Sequence, residues 1–116
     1  MAERPTVVAT FKDLPVDEVL RESIATRCAE IGQEFHEVTR IEVTIAEDGN
    51  GYTVHGHVTG KGLDLGGQAQ ASQPAPAADR LLDKLERQLR THHDKRIFTQ
   101  RREAQRHPPK KRGAQS

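Results

Sequence analysis

A chain of 116 residues with three Phe, one Tyr, no Trp and one cysteine is the size of one domain built on an aliphatic core, and a lone cysteine excludes an internal disulfide and fits a reducing cytoplasm. No apolar run approaches the roughly 20 residues that cross a bilayer, and the opening MAERPTVVATFKD lacks an apolar signal segment, so the expected location is cytoplasmic with no membrane partner. The net charge of +1 conceals an imbalance: residues 1–79 hold 6 Lys/Arg against 13 Asp/Glu, whereas residues 80–116 hold 12 against 4, which directs the basic end toward a polyanion.

TVVATF (6–11) is short, β-branched and flanked by polar residues, which predicts a strand. KDLP turns the chain, Pro15 suits the first turn of a helix, and Asp17 and Glu18 follow where acids interact well with the helix dipole. Val16, Leu20, Ile24, Cys28, Ile31 and Phe35 recur every three or four residues, so a first helix is predicted from about 15 to 36, with Cys28 in its buried stripe. TRIEVTIAE (39–47) alternates Ile41, Val43 and Ile45 with polar residues, as a half-buried strand does. DGNG (48–51) is a hairpin signal, and YTVHGHVT (52–59) is the returning strand. GKGLDLGGQAQA (60–71) gives a glycine-rich turn and a weaker strand carrying Leu63 and Leu65. SQPAPA (72–77) leads into a second helix predicted from about 77 to 98.

The order β-α-β-β-β-α predicts an α+β fold: a mainly antiparallel four-stranded sheet with two helices packed on one face. The predicted organisation is a domain over residues 1–98 and a flexible basic tail over 99–116, where TQRREAQRHPPKKRGAQS has no apolar period.

In the second helix Ala78, Leu81, Leu82, Leu85 and Leu89 form the stripe expected to dock on the sheet. Asp79, Asp83 and Glu86 lie on one flank, and Asp83–Arg87 and Glu86–Arg90 are i,i+4 pairs in the favoured acid-first order. Arg80, Lys84 and Arg87 form a row of like charges, continued by Arg90, His92, His93, Lys95 and Arg96. Like charges so spaced repel. A row of them is explained by phosphates elsewhere, each contact releasing counterions.

Chemistry-bearing motifs are absent. His55 and His57 face one side of a strand, but no Cys cluster or HExxH joins them, so a solvated strand face is the expectation and no metal is. GKGLDLGG lacks the order of a phosphate-binding loop, and no nucleophile–base pair is evident. The chain is therefore expected to be no enzyme, with no cofactor and no small-molecule substrate.

LLDKLERQLRTHHDK closely resembles the signature second helix of the ribosome hibernation promoting factors, the family that includes the ribosome-associated inhibitor, and VDEVLRESIATRCAEI is similar to that family's first helix. The resemblance covers about residues 6–98; its distinctive core is Lys84-Leu85-Glu86-Arg87-Gln88-Leu89. It implies a fold like a double-stranded-RNA-binding domain with an extra leading strand. It also implies a translation inhibitor that binds the small subunit and its 16S-type rRNA in the channel used by mRNA and tRNA, storing ribosomes inactive in stress or stationary phase. Off the ribosome such a chain is expected to be a monomer, and this one is expected to be a short form without a dimerising domain. Lys84 and Arg87 match the family's basic helix best and Lys95 a commonly basic position; Arg80 and Arg90 extend the row, and Arg27 is the first helix's contribution. This sequence departs from the family in SQPAPAAD, where an aromatic is frequent, and in a first helix poorer in lysine. The alternative is a general structured-RNA-binding domain with no tie to ribosomes.

Overall fold

The computed structural model describes the backbone of residues 5–106 and the side chains of residues 5–94. The elements follow the predicted order: β1 (Thr6–Lys12), α1 (Glu18–Glu34), β2 (Val38–Asp48), β3 (Gly51–Gly60), β4 (Leu63–Ala71) and α2 (Pro74–Arg106). Helix α1 is shorter than its apolar period, because Asp17 caps it. The Asp17 carboxylate accepts the Leu20 N–H at 3.1 Å, which leaves Pro15 and Val16 outside the helix. Phe35 ends the helix, donating its N–H to the Ile31 carbonyl at 2.8 Å.

The sheet runs in the order β1-β2-β3-β4. A helical crossover joins β1 to β2, which pair parallel, and the two hairpins pair antiparallel. The hairpin turns rest on Gly49 and Gly62, whose φ angles of +65° and +69° suit glycine.

Strand register places three rows of side chains across one face. Val7, Ile41, Val58 and Leu65 make the first, and Phe11, Ile45, Val54 and Ala69 the third. Between them Ala9, Val43, Gly56 and Gly67 form a row that falls away in size toward β4. Leu81 and Leu85 of α2 fill the resulting trough. A Cβ on Gly56 would stand only 2.7 Å from Leu81 Cδ2 and 2.8 Å from Leu85 Cδ1. Both helices lie on this face, α1 mainly against β1 and β2, and α2 against β3 and β4. Cys28 is fully buried between α1 and the sheet, where burial pushes its thiol up to about 11 despite the opposing charge of Arg27.

Helix α2 is longer than expected at both ends. It starts at Pro74, the proline taking an early helical position where its missing N–H is not needed, and its backbone stays helical through Arg106. Residues 99–106 of the expected tail therefore belong to the helix, and residues 107–116 lie outside the described residues. The sheet's other face is polar: Arg40 contacts Glu42 across two residues of β2, holding the Glu42 carboxyl below its usual range, and His57 of β3 contacts Asp64 of β4.

Candidate nucleic-acid interface

Helix α2 carries charge on two flanks that face different neighbours. On the flank toward β4, Arg80 donates to the Gln70 carbonyl at 2.7 Å, Lys84 to the Gln68 carbonyl at 2.7 Å, and Gln88 to the Gly66 carbonyl at 3.2 Å. The match follows from element geometry. Four helical residues rise about 6 Å, and two strand residues rise about 6.6 Å, so every fourth side chain of α2 meets every second carbonyl of β4. These carbonyls lie on the outer strand of the sheet, where no further strand among the described residues donates to them. A carbonyl is neutral, so it anchors Arg80 and Lys84 without cancelling their charge. Each cation keeps further N–H donors directed elsewhere.

Arg87 stands between these anchors and solvent. It is exposed and makes no hydrogen bond or ion pair with any described residue. The expected Asp83–Arg87 pair does not form, because Asp83 is drawn to α1. There Arg27 donates to Asp83 at 2.6 Å and to Glu86 at 3.2 Å, with Asp79 at 3.8 Å. The bond to Asp83 leads in raising the Arg27 pKa, with Glu86 adding to it against the cost of desolvation. One turn on, Arg90 bonds Glu34 of α1 at 2.7 Å and Glu86 at 3.4 Å, the expected i,i+4 partner, and its guanidinium lies 5.8 Å from the Phe35 ring centroid. The Glu34 carboxylate raises its pKa in the same way. His93 meets the Phe35 ring edge-on and Glu37 Oε2 at 3.3 Å.

Of the six basic residues singled out in the sequence, the structure thus brings Arg80, Lys84 and Arg87 together on one exposed line. Arg27 and Arg90 fall on the opposite flank, where carboxylates bind the two helices to each other through them. The Lys95 side chain lies outside the described residues. Gln88 is the residue that charge alone does not reveal; its signal is the four-residue spacing Arg80, Lys84, Gln88. Below that line, a groove of about 660 Å³ opens between α2 and β4. The described residues hold no group of three or more metal-ligating side chains, His55 and His57 included.

The line is suited to a polyanion. It presents cations at repeated spacing, two of them oriented by neutral acceptors, along a stretch of α2 whose interleaved acids Asp79, Asp83 and Glu86 turn toward α1.

The family model described as sigma 54 modulation protein / S30EA ribosomal protein matches residues 7–97. In architecture the chain is similar to a ribosomal subunit interface protein from Coxiella burnetii, at a TM-score of 0.66 and 20% identity over 77% of this chain and 98% of that one. It is similar also to the N-terminal domain of Protein Y from Thermus thermophilus, at a TM-score of 0.66 and 15% identity over 78% of this chain and 99% of that domain. At these identities the likeness is one of fold. No curated protein matches the sequence.

Proposed function

The chain belongs to the sigma 54 modulation protein / S30EA ribosomal protein family, the ribosome hibernation factors, and from that premise we propose that it is a ribosome-associated inhibitor of translation whose α2 line lies against small-subunit rRNA. The observation that carries this reading is the separation of charge on α2: Arg80 and Lys84 are held by uncharged carbonyls and Arg87 has no partner among the described residues, while Asp79, Asp83 and Glu86 are turned away to Arg27 and Arg90. Folded RNA is read largely by shape and phosphate position, which such a line can follow without base-edge contacts. Inhibition would then be by occupancy: a chain seated in the mRNA and tRNA channel excludes both and stores the particle. The action needs no bond made or broken, in the cytoplasm where ribosomes are.

Arg87→Glu is the direct test, since it reverses a charge with no partner among the described residues. Sedimentation of stationary-phase lysate should find wild-type protein with 30S or 70S particles, and the Arg87→Glu protein largely in the ribosome-free fractions with its melting temperature unchanged. A variant that still sediments with ribosomes to the wild-type extent would remove Arg87 from the interface. Wild-type protein found free of ribosomes, yet binding structured RNA, would favour a general RNA-binding domain.

A further inference from the structure

Resting on that reading, we propose that the groove between α2 and β4 takes one unpaired ribonucleotide of the bound RNA, its base inserted beside the phosphate-contacting line. The groove measures about 660 Å³, a volume in the range of small-molecule sites and far more than a phosphate alone would fill. Its floor is Leu65, half-buried and apolar, next to Gly67, which adds no side chain of its own and is flanked by Gln88. Lys84 and Arg87 stand on its α2 wall, positioned for the nucleotide's phosphate. Further along the same wall, Gln88 and Thr91 supply an amide and a hydroxyl, groups that both donate and accept and so can meet a base edge.

His92 completes the set. Its ring is half-buried at the end of the groove. Unpaired bases are held by stacking on histidine and other aromatic rings or on arginine guanidinium planes, and the groove offers both in His92 and Arg87. The open face of the sheet, by contrast, carries no Phe, Tyr or Trp among its described residues; apart from Val8, Ala46 and Gly66 it presents threonines, glutamines, charged residues and the two histidines of β3. The groove sets a histidine ring and a guanidinium beside the phosphate-contacting line, with room for a base next to them. An acidic peptide is the poorer fit. No described carboxylate lines the groove, but a peptide would leave the stacking planes unused.

The test uses the isolated protein and defined probes, followed by NMR of the Gly67 amide and the Gln88 side-chain amide. Uridine and adenosine monophosphates should shift both signals saturably, and a single-stranded hexaribonucleotide should do so at least tenfold more tightly. Inorganic phosphate should move the Lys84 and Arg87 signals alone. His92→Ala should weaken hexanucleotide binding about tenfold, the scale of a lost stacking contact, with the salt dependence unchanged because the phosphate contacts remain. His92→Phe should restore the affinity, which a merely structural histidine would not do. Equal shifts with phosphate or with hexaglutamate, equal affinity for the mononucleotide and the hexanucleotide, or a His92→Ala protein that binds as wild type would each overturn the proposal. Ribosome sedimentation of the wild-type chain is scored separately, so ribosome binding without nucleotide shifts sinks the groove and leaves the ribosomal reading standing.

Discussion

Replacing Arg27 by Met removes the cation that Asp79, Asp83 and Glu86 share, leaving Asp79 and Asp83 uncompensated by α1 among the described residues and Arg90 to bridge Glu86 to Glu34. The side chains are partly exposed, so the loss should be modest, about 1 kcal/mol, or roughly 4–8 °C in melting temperature for a domain of this size. Raising the salt should shrink the difference, because screening weakens both the attraction lost and the repulsion gained. Ribosome association should survive the change below the melting temperature, which separates Arg27 from Arg87 in one experiment. Cys28 makes the pH dependence. Its folded pKa of about 11 lies above the reference of 9.0, so between pH 9 and 11 the unfolded chain has lost a proton that the native chain keeps, and stability falls as pH rises. Urea titrations should show a loss of about 2 kcal/mol across that window beyond the loss in Cys28→Ala. At pH 8 the folded thiol should resist aromatic disulfide reagents and react only on unfolding.

At the scale of elements, the trough that seats α2 depends on the middle row of the sheet shrinking to Gly56 and Gly67. Gly56→Val should lift Leu81 and Leu85 off the sheet and cost about 1–3 kcal/mol, as overpacking does, read as a lower urea midpoint at unchanged slope. The strands were legible because Ile41, Val43 and Ile45 alternate cleanly, and DGNG fixed the hairpin between β2 and β3. Helix α1 was legible as a periodic stripe but not in its start, since Asp17 reads equally as a first-turn acid or as a cap. The stripe of Ala78, Leu81, Leu82, Leu85 and Leu89 gave the buried face of α2 but not its ends, since the helix starts a turn before the stripe and its backbone runs on well beyond Leu89 to Arg106. The basic row was visible in the spacing of Arg80, Lys84 and Arg87; the fate of each cation was not. Local sequence shows partners at i+3 and i+4, whereas Arg27 meets acids 52 to 59 residues away and Lys84 meets a carbonyl 16 residues away. Those pairings exist only once the sheet has brought β4 and α1 to opposite sides of one helix.

Over the whole molecule, the fold separates charge along its length. The β1–α1 turn, the β2–β3 hairpin and the β4–α2 turn share one end of the sheet, with Asp13, Asp17, Glu18, Glu47 and Asp48 among them. The cations of α2 proceed away from that end. Near an anionic surface such a dipole turns the protein basic side first, which speeds productive encounter and discourages binding through the acidic end. The salt dependence of ribosome association measures the result. If the three described cations, Arg80, Lys84 and Arg87, each neutralise one phosphate, the log–log slope should be roughly −2 by the coefficient for single strands. A steeper slope would count the bases beyond residue 94, and Arg87→Gln should make the slope shallower by about 0.7.

The bonds from Arg80, Lys84 and Gln88 to β4 also govern what happens when they are removed. An outermost strand with bare carbonyls is a template on which a stray polypeptide can extend the sheet, the first step of fibre growth. Here three side chains of the chain's own helix shield it. Lys84→Glu would set a carboxylate against the Gln68 carbonyl and strip that shield, so a chain so altered should self-associate as its concentration rises, even with no RNA in solution. Lys84→Gln, which can still donate, should remain monodisperse.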